Sequence, residues 1–67
     1  MPKKVRELKA MLSRAGFSYR PAKGSHGVWT HRKYRGIVTI AGKDGNDAPK
    51  YMERQVERAI SMVEESR

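Results

Sequence analysis

Lys23-Gly24-Ser25-His26 sets an imidazole beside a cation and a flexible stretch of backbone. Cutting an RNA phosphodiester without a metal needs three things: a base for the 2′-hydroxyl proton, positive charge against the phosphate, and backbone free to approach the strand. His26 reads as the base, Lys23 as the cation, and the amides of Gly24 and Ser25 as the approach. An imidazole titrates close enough to neutral pH for proton transfer to be efficient. The plainer reading of His26 is a surface histidine in an exposed turn, and the tetrapeptide alone leaves both open. His31 lies five residues on, so regular pairing puts it on the opposite face of a strand from His26, and the two are not expected to act as a dyad. A β-bulge at Gly27 would reverse that assignment. Lys23, water and His31 are all open as the proton source for the leaving oxygen.

Around this turn lie the residues that would hold a polyanion. Arg20, Arg32, Lys33 and Arg35 are placed to reach phosphates, and Lys3, Arg6 and Lys9 on the first helix would extend the track. Tyr34, set among Arg32, Lys33 and Arg35, is either a base-stacking ring or an ordinary hairpin tyrosine. Trp29 is read as core, because a small domain must find apolar area where it can.

The charge distribution favours the same half of the chain. The 67 residues carry 15 Lys and Arg against 7 Asp and Glu, a formal charge of +8. From residue 1 to 35 ten bases meet the single acid Glu7, giving +9, and from 36 to 67 five bases meet six acids, giving −1. One face made for phosphates and a second half that supports it is the implied arrangement, which makes nucleic acid the expected partner. There is no cysteine, and two histidines without clustered carboxylates predict neither a metal nor another cofactor. No apolar run approaches the length of a membrane span, so a cytoplasmic protein is expected.

The elements that must position these residues follow from periodicity. Val5, Leu8, Met11, Leu12 and Ala15 recur at three- and four-residue steps, a helix that Gly16 ends with a left-handed cap. Phe17 to Ala22 predicts a short strand limited by Pro21, Val28 to Arg32 a second, and Ile37 to Ile40 a third, with Lys33-Tyr34-Arg35-Gly36 as the hairpin connection. Gly42 to Asp47 is a loop, and Asp47 is placed to cap a last helix with Pro49 in its first turn and Met52, Val56, Ala59, Ile60 and Val63 on its buried face. The charges of that helix, Arg54 and Arg58 among them, read as a solvated face. Met1 to Lys3 and the last three residues are expected to fray. The result is one α+β domain over residues 1–67. Its order is α-β-β-β-α, the plan of the double-stranded-RNA-binding domain: a three-stranded antiparallel sheet with two helices on one face.

A helix ending in Ala15-Gly16-Phe17, then Lys23-Gly24-Ser25-His26, Trp29 and His31 in the next strand, and Val38-Thr39-Ile40 before a loop resembles the HicA family of type II toxin–antitoxin modules. The resemblance covers about the first forty residues. It implies an mRNA interferase that needs no metal, a catalytic histidine at His26, and a HicB-type antitoxin partner that covers this histidine. In many family members the third strand leads to a second histidine and a Gly-Thr-Leu motif. Here Ala41 to Pro49 contains neither, and its Gly42-Lys43-Asp44-Gly45 resembles a variant branch. A non-catalytic RNA-binding module on the same fold is the alternative, and a basic subunit that binds only an acidic protein is a third reading. The oligomeric state is not readable from the sequence.

Overall fold

The computed structural model describes residues 3–24 and 26–65. Helix α1 spans Val5–Arg14, strands β1, β2 and β3 span Ser18–Pro21, Gly27–His31 and Tyr34–Ile40, and helix α2 spans Lys50–Glu65. This is the expected α-β-β-β-α order. The strands form one antiparallel sheet in the order β1-β2-β3.

Both helices lay their apolar stripe on one face of the sheet. Val5, Leu8 and Leu12 of α1 and Met52, Val56, Ala59 and Val63 of α2 are buried with Phe17, Trp29, Val38 and Ile40. Trp29 is 7% exposed, as the sequence predicts for a core residue, although its indole N–H finds no acceptor among the described residues. Gly16 ends α1 at φ +97°, the left-handed conformation that glycine adopts without a Cβ penalty. Strand pairing puts Arg20, Val28 and Thr39 side by side on the open face, and Tyr19, Trp29 and Val38 on the covered one.

Three expectations change. The hairpin turn is Arg32-Lys33 alone, since β3 already begins at Tyr34 and His31 pairs with it. The cause is Tyr34 itself, whose ring packs edge-on against Phe17 with centroids 5.9 Å apart and is drawn into the edge of the core. The register shift that results lies between Trp29 and His31 and not at Gly27, so Trp29 and His31 keep the covered side. Second, Asp47 does not cap α2. Pro49 supplies the first helical carbonyl, accepting from Met52 and Glu53, while the Asp47 carboxylate binds Lys4 Nζ at 2.6 Å. Third, Lys3 is not frayed: its carbonyl accepts the Ala48 amide at 2.7 Å and its Nζ lies 3.4 Å from Glu53. The other residues expected to fray, Met1, Pro2, Ser66 and Arg67, lie outside the described part, while Glu65 closes α2.

The loop after β3 serves the start of α1. A helix leaves its first amides without intrahelical partners. Here Val5 N–H donates to the Asn46 carbonyl at 2.9 Å, Arg6 N–H to the Asp44 carbonyl at 3.2 Å, Lys4 N–H to Glu7 Oε2 at 3.0 Å, and Glu7 N–H to the Lys4 carbonyl at 2.9 Å. The orphan amides of α1 are therefore satisfied, half of them by a segment forty residues away.

Candidate active site and nucleic-acid interface

His26 sits in the turn between β1 and β2, exposed to solvent. The turn is closed twice: Ala22 N–H donates to the His26 carbonyl at 3.1 Å, and His26 N–H to the Lys23 carbonyl at 3.2 Å. Gly24 takes φ +63° with open space where a Cβ would stand, so glycine is required there by conformation and not by crowding. Ser25, the remaining residue of the tetrapeptide, lies outside the described residues.

The ring of His26 is oriented by the same carbonyl that closes the turn. Its Nδ1 lies 3.1 Å from the Lys23 carbonyl oxygen. A carbonyl only accepts, so Nδ1 carries the hydrogen, and in the neutral ring Nε2 carries the lone pair. The arrangement presents a proton acceptor outward from an exposed turn. Lys23 and Arg20 bring positive charge to the same end of the sheet, and neither has an acidic partner among the described residues. The Gly24 amide is likewise without a hydrogen-bond partner among them.

His31 has the opposite tautomer and a different task. The Lys33 backbone N–H donates to His31 Nδ1 at 3.0 Å, which leaves the hydrogen on Nε2 in the neutral ring. The ring packs on Phe17, with centroids 5.2 Å apart, and its Nε2 faces Gly16. His31 thus holds the Arg32-Lys33 turn. It stands at the far end of β2 from His26, four strand residues from Gly27 or about 13 Å at the usual rise.

The predicted phosphate and base contacts divide the same way. Arg20, Lys23 and Gly24 stay with His26, while Arg32, Lys33, Tyr34 and Arg35 gather at the other end of the sheet. Arg32, Lys33 and Arg35 carry charges that no acid among the described residues neutralises. The expected extension along α1 is different. Lys3 pairs with Glu53, Lys4 with Asp47 at 2.6 Å and Lys9 with Asp44 at 2.7 Å, so the acids of the second half fold back onto the lysines of the first. Of the expected α1 set, Arg6 has no acidic partner among the described residues.

Lys50, Tyr51, Arg54 and Arg58 line a groove that includes Tyr34. Steps of one, three and four residues put them on one exposed side of α2, and that spacing is the signal the sequence carries for the groove. Among the described residues no group of three or more His, Cys, Asp or Glu is arranged to hold a metal ion, and no helix is long and apolar enough to cross a membrane.

The family model described as the HicA toxin of bacterial toxin–antitoxin matches residues 5–62, well over half the chain and both ends of the sheet. A search of curated proteins found no match.

Proposed function

Because the chain belongs to the HicA toxin family of bacterial toxin–antitoxin modules, we propose that it is a metal-independent endoribonuclease that cleaves mRNA with His26 as general base. The family makes it the toxin of such a module, with an antitoxin as its partner. The observation that carries the catalytic reading is the Nδ1–H of His26 fixed on the Lys23 carbonyl, which leaves Nε2 as an oriented proton acceptor.

In this reading Nε2 takes the proton of a ribose 2′-hydroxyl. The 2′-oxygen attacks the adjacent phosphorus as the bond from phosphorus to the 5′-oxygen breaks. Lys23 and Arg20 offset the charge that builds on the phosphoryl oxygens, and the Gly24 and Ser25 amides approach the strand. The departing oxygen takes its proton from the Lys23 ammonium or from water, since His31 is engaged at the other end of β2. Arg32, Lys33 and Arg35 bind phosphates further along the strand, and Tyr34 stacks on a base.

The test is cleavage of an mRNA by the purified protein with a chelator present, repeated with His26→Ala. A loss of roughly 10²- to 10⁴-fold is expected for removing a general base. Cleavage undiminished in the variant would remove His26 from the role. Wild-type protein that binds RNA with a salt-sensitive affinity and cuts nothing would instead be a non-catalytic RNA-binding module.

The antitoxin of this reading is of the HicB type. It carries acidic groups that occupy Arg20 and Lys23 and cover His26, so association is fast and salt-dependent. Arg20→Glu or Lys23→Glu should slow its binding at low salt, and an unchanged rate would place the antitoxin elsewhere. The whole chain acts as one cytoplasmic RNA-cleaving domain.

A further inference from the structure

Between β3 and α2 lies a groove of about 840 Å³ that the His26 site does not use. Lys50, Arg54 and Arg58 follow one another at four-residue steps along its helical wall, which stacks three cations on one face of α2. None of them has an acidic partner among the described residues. Glu57 is the single acid of the lining. Two tyrosines complete the walls. Tyr34 packs edge-on against Phe17, and Tyr51 stands 68% exposed beside Lys50.

Cations alone would suit any anion. Flat rings beside them select an anion whose charges alternate with π surfaces, and a nucleotide strand meets that condition where an acidic peptide does not. We infer that the groove binds an unpaired segment of RNA, with a base stacked on Tyr51 against the Tyr34 wall and its flanking phosphates on Lys50, Arg54 and Arg58. This rests on the reading of the protein as one that acts on RNA. Its consequence is an anchor for the substrate along the helix-covered side of the sheet, reaching Tyr34 at the end remote from His26.

Binding of a fluorescent 2′-O-methyl oligoribonucleotide, which keeps bases and phosphates but cannot be cut at the 2′ position, tests it. Tyr51→Ala should weaken binding by roughly 5- to 150-fold, the range for loss of one stacked base. Tyr51→Phe should restore it, and on an abasic strand of equal length Tyr51→Ala should have no effect. The double variant Arg54→Glu/Arg58→Glu should flatten the dependence of affinity on salt by about 0.7 per lost phosphate contact. All three side chains are exposed, so the variants should fold, and circular dichroism is the check on that. Unchanged affinity in Tyr51→Ala and in the charge variant would overturn the inference, as would an equal Tyr51→Ala effect on the abasic strand. Occupation of the groove by an acidic protein gives the first of these results. Groove variants that lose RNA binding in a protein that cleaves nothing would uphold this site and remove the nuclease. Cleavage by His26 with unaltered affinity in the groove variants would do the reverse.

Discussion

The ring of Tyr19 occupies the space where a side chain at Gly27 would begin: a Cβ at position 27 would lie 2.5 Å from Tyr19 Cε1. The ring is in turn set by Trp29, opposite it in the sheet, with centroids 5.3 Å apart. Gly27→Ala therefore has to push Tyr19 off Trp29, and because that ring is 54% exposed the cost is the aromatic pair itself, about 0.5–1.5 kcal/mol. Urea denaturation should show the loss. The double variant Tyr19→Ala/Gly27→Ala should fall short of the sum of the two single losses, and simple additivity would show that the ring is not the obstacle.

Within the loop that caps α1, backbone matters more than charge. Asp44 contributes a carboxylate to exposed Lys9 and a carbonyl to Arg6 N–H, and Asp44→Ala removes only the first. A change of about 0–1 kcal/mol is expected, as for other surface pairs. Gly42 is at φ +103° with only ordinary contacts around it, so Gly42→Ala is opposed by conformation, by about 1–2 kcal/mol. Thermal melts in which Asp44→Ala is the more damaging of the two would contradict this division.

Lysines already held by acids should be poor phosphate ligands. Lys4→Gln and Lys9→Gln are expected to leave the salt dependence of RNA binding nearly unchanged, because Asp47 and Asp44 already hold those charges. Arg32→Gln and Lys33→Gln should each reduce the slope by about 0.7, the value for one phosphate on a single strand. Titrations at several salt concentrations decide it, and equal slopes for the two sets would mean that the pairs open on binding.

The core has little reserve. Leu12 is fully buried, and Leu12→Ala should cost about 2–5 kcal/mol. A domain of this size seldom holds more than about 3–5 kcal/mol in total, so the variant should be largely unfolded at 37 °C by circular dichroism. Ile37, 53% exposed, provides the contrast: Ile37→Thr should change the stability by no more than about 0.5 kcal/mol. A stable Leu12→Ala protein would mean that the site collapses around the lost atoms.

What was legible in the sequence was what neighbours in the chain decide. The buried stripe of α1, the glycine stop at Gly16 and the burial of Trp29 follow from local period and residue type, and so did the element order. The turn that bears His26 was placed correctly for the same reason. What escaped depends on partners remote in sequence. Asp47 looks like a helix cap until Lys4, forty-three residues earlier, takes its carboxylate. Tyr34 looks like a turn residue until Phe17 draws it into β3. The +9 of the first half looks like one continuous face until Glu53, Asp47 and Asp44 return to it.

The amides of Val5 and Arg6 wait for carbonyls at Asn46 and Asp44, and the sheet that carries His26 waits for Val56, Ala59 and Val63 to cover it. During synthesis the amino-terminal part of a chain emerges first. A nascent chain therefore carries its histidine turn on a sheet that stays uncovered until α2 has emerged.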